Sequence, residues 1–217
     1  MTIRKSLIFD LDGTLVDSAG AICASARAAS LALGYAAPTD EAVRKMIGLP
    51  LVQIGRMVAG AAAADAEVER WCACYRAAFE ELGLPTTAPF SAVPEELARW
   101  RDQGRRLAVA TSKHTSVAIR VLERAGLVAF FDVVVGGDQV ANGKPHPEMA
   151  LRALELLGGP PADAALVGDA THDVLMARAA GIAAYAVSYG VHDRAALQAA
   201  RPHAIVDSFV DLRRYLG

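Results

Sequence analysis

Short apolar runs recur along the chain, and most end in a cluster of polar residues and glycine. Leu7-Ile8-Phe9 is the first; others are Leu107 to Ala110, Val133 to Val135, Ala165 to Val167, Ala183 to Val187 and Ala204 to Val206. Runs of this length without polar alternation predict strands buried on both faces. Between them the apolar positions fall at helical spacing, over Pro94 to Gln103, Thr115 to Ala125, Pro147 to Leu157, Asp173 to Ala180, Asp193 to Ala199 and Ser208 to Leu216. Gly104, Gly126, Gly158 and Gly181 stand where helix C-terminal stops belong. The alternation predicts an α/β fold, a doubly wound parallel sheet (Rossmann-like) covered by helices. From Ser18 to Thr87 the pattern changes, because alanine-rich helical segments follow one another with no strand-like run between them. The expected organisation is therefore a core from residues 1–17 and 88–217 and an inserted α-helical cap domain from 18–87, with Pro85 to Pro89 as the returning linker.

Composition narrows the setting. Of 217 residues, 53% are hydrophobic and 21% charged, which is enough apolar material for a core and too little charge for a disordered chain. The alanine-rich stretches are interrupted by Arg27, Asp65, Glu67 and Arg70, so no segment reads as a membrane span. No apolar leader follows Met1 to Lys5, and a cytoplasmic location is expected. The net charge of -2, from 22 Lys+Arg against 24 Asp+Glu, comes without a basic run, which argues against a nucleic-acid partner. Cys23, Cys72 and Cys74 read as reduced thiols on helices, since the Cys72/Cys74 pair has no matching Cys/His pair to complete a metal site.

In open parallel sheets ligands bind beyond the strands' carboxyl ends. The polar residues expected there are Asp10 and Asp12 after the first strand, Thr111, Ser112 and Lys113 after Ala110, Gly136 to Asp138 after Val135, and Asp169 and Asp173 after Val167, with Lys144 on the next helix's approach. Carboxylates crowded into one crevice raise one another's pKa unless a cation joins them, and Mg2+ suits a site made of oxygens. Such an ion would bridge carboxylates and a phosphate oxygen, leaving Thr111 and Lys144 for the other phosphate oxygens. Asp10 and Asp12, one residue apart, would project in the same general direction. One of the pair would attack phosphorus and the other protonate the leaving oxygen.

These residues resemble, in order, the four motifs of the haloacid dehalogenase-like hydrolase superfamily. The matching segments are Asp10-Leu11-Asp12-Gly13-Thr14-Leu15-Val16-Asp17-Ser18, Thr111-Ser112-Lys113, Gly143-Lys144-Pro145-His146-Pro147-Glu148 and Val167-Gly168-Asp169-Ala170-Thr171-His172-Asp173. The chain is most similar to the phosphoglycolate phosphatase-like branch, whose helical cap is inserted after the first motif. The resemblance implies a Mg2+-dependent phosphatase that hydrolyses small phosphate monoesters, of phosphoglycolate or sugar-phosphate type, through an aspartyl-phosphate. It implies that Asp10 is the nucleophile and Asp12 the general acid/base. Asp10, the Asp12 backbone carbonyl and Asp169 would bind Mg2+, with Asp173 ligating directly or through water. Thr111, Ser112 and Lys144 would hold the phosphoryl group. Ala170 departs from the Ser or Thr that relatives carry there, which removes a hydroxyl near the metal without removing a ligand.

Other readings compete at particular residues. Asp173 read alone is a helix cap, and His114, His146 and His172 read as hydrogen-bonded or surface histidines, with His114 a candidate substrate contact. Arg44 and the Gly48-Leu49-Pro50-Leu51 turn fall where relatives place a cap loop that reaches the active site. A phosphosugar mutase is the alternative within the superfamily, and its relatives tend to carry an arginine in that loop. Phosphonate cleavage would need a cap lysine, and Lys45 is the one available between Ser18 and Thr87. A non-catalytic binding or regulatory protein on the same fold is the alternative from another class. The expected partner is a small phosphorylated metabolite, and oligomeric state is open.

Overall fold

In the computed structural model, which describes residues 4–217, Ser6–Phe9 forms a fully buried strand, β1. A two-residue strand, β2 (Val16–Asp17), follows, and four helices then run in succession: α1 (Ala19–Ala32), α2 (Asp40–Arg44), α3 (Leu51–Ala59) and α4 (Asp65–Ala78). A π-helical turn at Phe79–Gly83 and a 3-10 turn at Leu84–Thr86 lead to β3 (Ala88–Pro89). The rest alternates: α5 (Val93–Asp102), β4 (Arg106–Ala110), α6 (Thr115–Arg124), β5 (Val133–Val135), α7 (Glu148–Leu157), β6 (Ala164–Gly168), α8 (Thr171–Ala179), β7 (Ala183–Val187), α9 (Arg194–Ala200), β8 (Ala204–Val206) and α10 (Arg213–Leu216).

Six strands form one parallel sheet in the order β5-β4-β1-β6-β7-β8. Numbered among themselves this is 3-2-1-4-5-6, the doubly wound order. The chain builds outward from β1 through β4 to β5, then crosses back to β6 on the other side of β1. Strand alternation divides the apolar side chains between two faces. Leu7, Phe9, Leu107 and Val109 face α5, α6 and the C-terminal segment, where Phe9 stacks on Trp100 at 5.6 Å and meets Phe209 at 5.9 Å. Ile8, Ala108, Ala110 and Leu166 face α7, α8 and α9. Helices on both faces explain why the strands read as continuous apolar runs.

The four glycine stops are realised, with φ of 77° at Gly104, 70° at Gly126, 71° at Gly158 and 71° at Gly181. One helix expectation is corrected. Ser208 to Leu216 is not a single helix but a 3-10 turn at Phe209–Leu212 followed by α10. Phe209, Leu212 and Leu216 are all buried against the sheet, so burial decides that path over helical propensity. The expected linker is also structured: Pro85 lies in a 3-10 turn, and Ala88 and Pro89 pair antiparallel with Asp17 and Val16.

Helix α4 packs against both α1 and α3. Trp71 is fully buried and donates to Ser30 Oγ at 3.1 Å, and Trp71, Tyr75 and Phe79 stack in a row along one face, with ring centroids 5.5 and 6.2 Å apart. A Cβ on Gly55 would meet Trp71, Cys72 and Val68 at 3.1–3.2 Å, so glycine there sets the approach of α3 to α4. Among the described residues no helix is long and apolar enough to cross a membrane.

Candidate active site

β1 and β6 are neighbours in the sheet, so the residues after their carboxyl ends meet at the point where the strand order reverses. The Asp10 amide donates to Val167 O at 2.9 Å, extending the β1–β6 pairing one residue beyond the strand. Asp10, Asp169 and Asp173 are all buried, and each offers a carboxylate oxygen within 4.8 Å of the others. Lys144, with a fully buried side chain, puts Nζ 2.7 Å from Asp10 Oδ1 and 2.7 Å from Asp173 Oδ1. Three carboxylates against one ammonium leave two formal negative charges, which matches a divalent cation with oxygen ligands.

Every buried carboxylate here is held in place. Asp169 accepts from Thr14 Oγ1 at 2.9 Å and from the Val191 amide at 2.8 Å. Gly13 and Gly190 pack so closely that a Cβ on either would come within 2.3 Å of the Asp169 side chain. Gly13 also takes φ +81°, turning the chain away directly after Asp12. Asp173 accepts from the Ala170 amide at 3.1 Å, which caps the start of α8, while also pairing with Lys144. Asp12 accepts from Ser18 Oγ at 2.5 Å and pairs with Lys113 Nζ at 2.7 Å. Lys113 Nζ in turn lies 4.7 Å from the centre of the Phe79 ring, over its face.

Burial and crowding perturb the titrations. Burial pushes the Asp10 carboxyl up to about 7, with Lys144 opposing and Asp173 and Asp12 adding to the rise. Asp169 is raised well above the usual carboxylate range, by burial first and then by Asp10 and Asp173. Asp173 goes the other way: burial works against ionisation, but the Lys144 and His172 charges, with the hydrogen bonds from Lys144 and the Ala170 amide, together outweigh it. Lys144 is raised, because Asp10 and Asp173 more than offset the cost of burying its charge. Perturbed groups of this kind, gathered at a strand-end crevice, make this the candidate functional site.

A cavity of about 370 Å³ opens beside these residues, between the sheet's carboxyl edge and α1, α3 and α4. Asp10, Asp12, Thr111, Ser112 and Lys113 line one side and the Gly48-Leu49-Pro50-Leu51 turn the other. Ser112 Oγ donates to Gly48 O at 2.6 Å, tying the strand end to that turn. Gly48 at φ +92° leaves no room for a Cβ, which would meet His172 Nε2 at 2.3 Å.

Other sequence candidates lie elsewhere. Arg44 is exposed and does not line the cavity, and Lys45 is exposed and paired with Glu41 at 2.7 Å, which leaves the phosphonate reading without its amine. His146 lies at the surface beside Glu148, and Asp138 accepts from the Thr115 amide and hydroxyl, a helix-start role. His114 lines the cavity, exposed and bonded to Ser116. Asp10, Asp169 and Asp173 form the one candidate metal cluster among the described residues, so the cysteines stay free thiols. Sequence reasoning missed which groups grip two of the motif carboxylates: Ser18 and Lys113 on Asp12, and Thr14 and the Val191 amide on Asp169. Lys113 stood within a quoted motif, but its partner is 101 positions away.

The comparisons agree with this geometry. A profile of the family described as "Haloacid dehalogenase-like hydrolase" matches residues 7–187. "Probable phosphatase IndB" of Dickeya dadantii is 44% identical over 213 residues, covering 97% of this chain and 92% of that protein. The phosphoglycolate phosphatase of Salmonella typhimurium is 32% identical, covering 98% of this chain and 92% of its own. Among solved structures, a predicted phosphoglycolate phosphatase from Haemophilus somnus superposes with a TM-score of 0.90 at 25% identity over 98% of both chains. With its switch-point carboxylates, its lysine and its doubly wound sheet, the chain belongs to the haloacid dehalogenase-like hydrolases, as an enzyme of their phosphatase branch.

Proposed function

We propose that the protein is a Mg2+-dependent phosphatase of small phosphate monoesters, working through a phosphorylated Asp10. The observation that carries this reading is the buried set of Asp10, Asp169 and Asp173, in which one lysine bridges Asp10 and Asp173 and two negative charges are left over. Asp10, Asp169, Asp173 and the Asp12 carbonyl would hold the ion, which would supply charge neutralisation between the carboxylates and the incoming phosphate. Hard oxygen donors in this number fit Mg2+.

In the first step a carboxylate oxygen of Asp10 bonds to phosphorus as the bond from phosphorus to the alcohol oxygen breaks. The Asp12 carboxyl delivers its proton to that leaving oxygen. In the second step Asp12 takes a proton from a water, whose oxygen bonds to phosphorus and releases inorganic phosphate and the Asp10 carboxylate. Ser18 and Lys113 fix the Asp12 carboxylate from two sides, so its free path is toward the cavity. Lys144 and Thr111 steady the phosphoryl oxygens, and Ser112 contributes by holding the Gly48 turn against the site. Residues 18–87 serve as a cap over a core of 1–17 and 88–217, hinged at the β2–β3 pair, which limits water around phospho-Asp10.

The test is release of inorganic phosphate from p-nitrophenyl phosphate with and without Mg2+, using the natural chain and Asp10→Asn. The amide nearly matches the carboxylate in shape but cannot attack, so turnover should vanish while the fold survives. Near-normal activity in that variant would overturn the nucleophile assignment. Transfer of phosphate between sugar positions without free phosphate would instead mean a mutase.

A further inference from the structure

We infer that the substrate of this phosphatase is the phosphate ester of an alcohol carrying an uncharged apolar or aromatic body, rather than a small carboxylate such as glycolate. The inference rests on the phosphatase reading for its phosphate end and on the cavity wall for the rest. Away from the carboxylates the wall is built from Ile22, Ile47, Leu51, Ile54, Tyr75 and Phe79. All but Leu51 are buried, so these side chains are set before a ligand arrives. Tyr75 and Phe79 continue the stack that starts at buried Trp71, which fixes two ring systems at the cavity wall. Fixed aromatic surface favours a flat or apolar guest.

Charge argues the same way. Besides the exposed His114, the lining contains two cations, Lys113 and Arg76, against four carboxylates, those of Asp10, Asp12, Glu80 and Asp138. Lys113 is committed to Asp12, and Glu80 is partnered from outside the lining by Arg120 at 2.5 Å. Arg76 is exposed at the rim. A second carboxylate on the substrate, as in phosphoglycolate, would therefore enter an apolar-walled space whose acidic groups already hold their partners and where no buried cation is reserved for it, at a cost in desolvation. Size is consistent, because about 370 Å³ lies in the ~300–1,000 Å³ range of pockets for drug-sized ligands.

Binding of phosphonates, which cannot be hydrolysed, tests the wall independently of catalysis. The affinities of 3-phenylpropylphosphonate, propylphosphonate and 2-carboxyethylphosphonate would be measured by calorimetry on the full chain with Mg2+. We expect the phenyl compound to bind about tenfold or more tighter than the propyl one, as burial of an aromatic group predicts, and the carboxylate to bind weakest. Ile54→Ala should shrink the phenyl preference at least about threefold by removing wall contacts, and Ile54→Val should shrink it less. Equal affinities, a preference for the carboxylate, or no binding of any of the three would overturn the inference. Turnover of p-nitrophenyl phosphate, run in parallel, judges the phosphatase reading separately: selective binding without turnover would sink that reading and leave the wall's preference standing.

Discussion

A Cβ built on Gly190 would stand 2.2 Å from Asp169 Cβ and 2.3 Å from Asp169 Oδ2. Non-bonded carbons settle at about 3.5–4.0 Å, so in Gly190→Ala the Asp169 side chain must retreat by more than ~1 Å. Gly190 is not among the glycines with positive φ, so alanine can take its backbone conformation and the clash is the whole perturbation. A retreat of that size breaks the bonds from Thr14 Oγ1 and the Val191 amide, at 2.9 and 2.8 Å. Leaving a buried polar group unpaired costs roughly 1–3 kcal/mol, and we expect a stability loss of about 2–4 kcal/mol after partial relaxation. If Asp169 holds the cation, displacing it should weaken Mg2+ affinity at least about tenfold, and a misplacement of ~1 Å should lower kcat on the order of 10²-fold. Calorimetric Mg2+ titration, thermal unfolding and phosphate release read the three effects. Gly20→Ala is the control, since nothing lies within 4 Å of a Cβ there, and it should be neutral or stabilise by up to about 1 kcal/mol. Mg2+ affinity and kcat within twofold of the natural protein, with an unchanged melting temperature, would refute the argument.

Mg2+ at 100 times its dissociation constant should add about 2.7 kcal/mol of stability, a rise of very roughly 5–10 °C in Tm for a chain of this size; EDTA should reverse it and Asp169→Asn should abolish it, and a rise that persists in the variant would place the ion elsewhere. Asp132 accepts from Arg101 and from the Leu107 amide at 2.7 and 2.9 Å, and although burial raises its pKa, those bonds and the Arg101 and Arg106 charges bring it below the usual value. A depressed carboxylate stabilises above its unfolded pKa of about 3.9 and loses that contribution as pH falls through its folded value; the stability difference between the natural chain and Asp132→Asn, from urea midpoints, should therefore be full near pH 6 and shrink below about pH 4, and a difference that grows on acidification would contradict the assignment. Asp12→Ala should damage turnover of alkyl phosphates far more than of aryl phosphates, because p-nitrophenolate leaves without a proton, and rapid quench with the aryl substrate should show a burst about equal to the enzyme concentration; equal losses without phosphoenzyme would move proton transfer to another group.

The sheet was legible because its strands are buried on both faces and so must be apolar throughout, as Leu7-Ile8-Phe9 and Ala165 to Val167 are. Helix stops were legible where glycine supplies a positive φ. Helix divisions between Ser18 and Thr87 were not, because Ala-rich segments such as Ala19–Ala32 give little contrast between faces and the breaks are set by tertiary contacts like Trp71 on Ser30. At the site, motif order brought forward Asp10, Asp12, Lys144, Asp169 and Asp173, and the fold does gather them. What sequence order cannot display is which group holds which. The Ser112 hydroxyl goes to Gly48 O, and Lys113, adjacent to it, takes Asp12. The first depends on how the α1–α4 segment lies over the sheet and the second on the pairing of β1 with β4, relations between positions 64 and 101 residues apart.

The pairing of Val16 and Asp17 with Pro89 and Ala88 has a consequence for how the chain finds its structure. Exit and re-entry of the α1–α4 segment lie side by side, so for the strands that follow, the whole segment acts as the loop of a hairpin. The entropy of closing a loop grows only logarithmically with its length, and the parallel pairing of β1 with β4 therefore meets a penalty that changes little whether the helices have formed or not. Lengthening or shortening the segment should leave the refolding rate of the sheet nearly untouched.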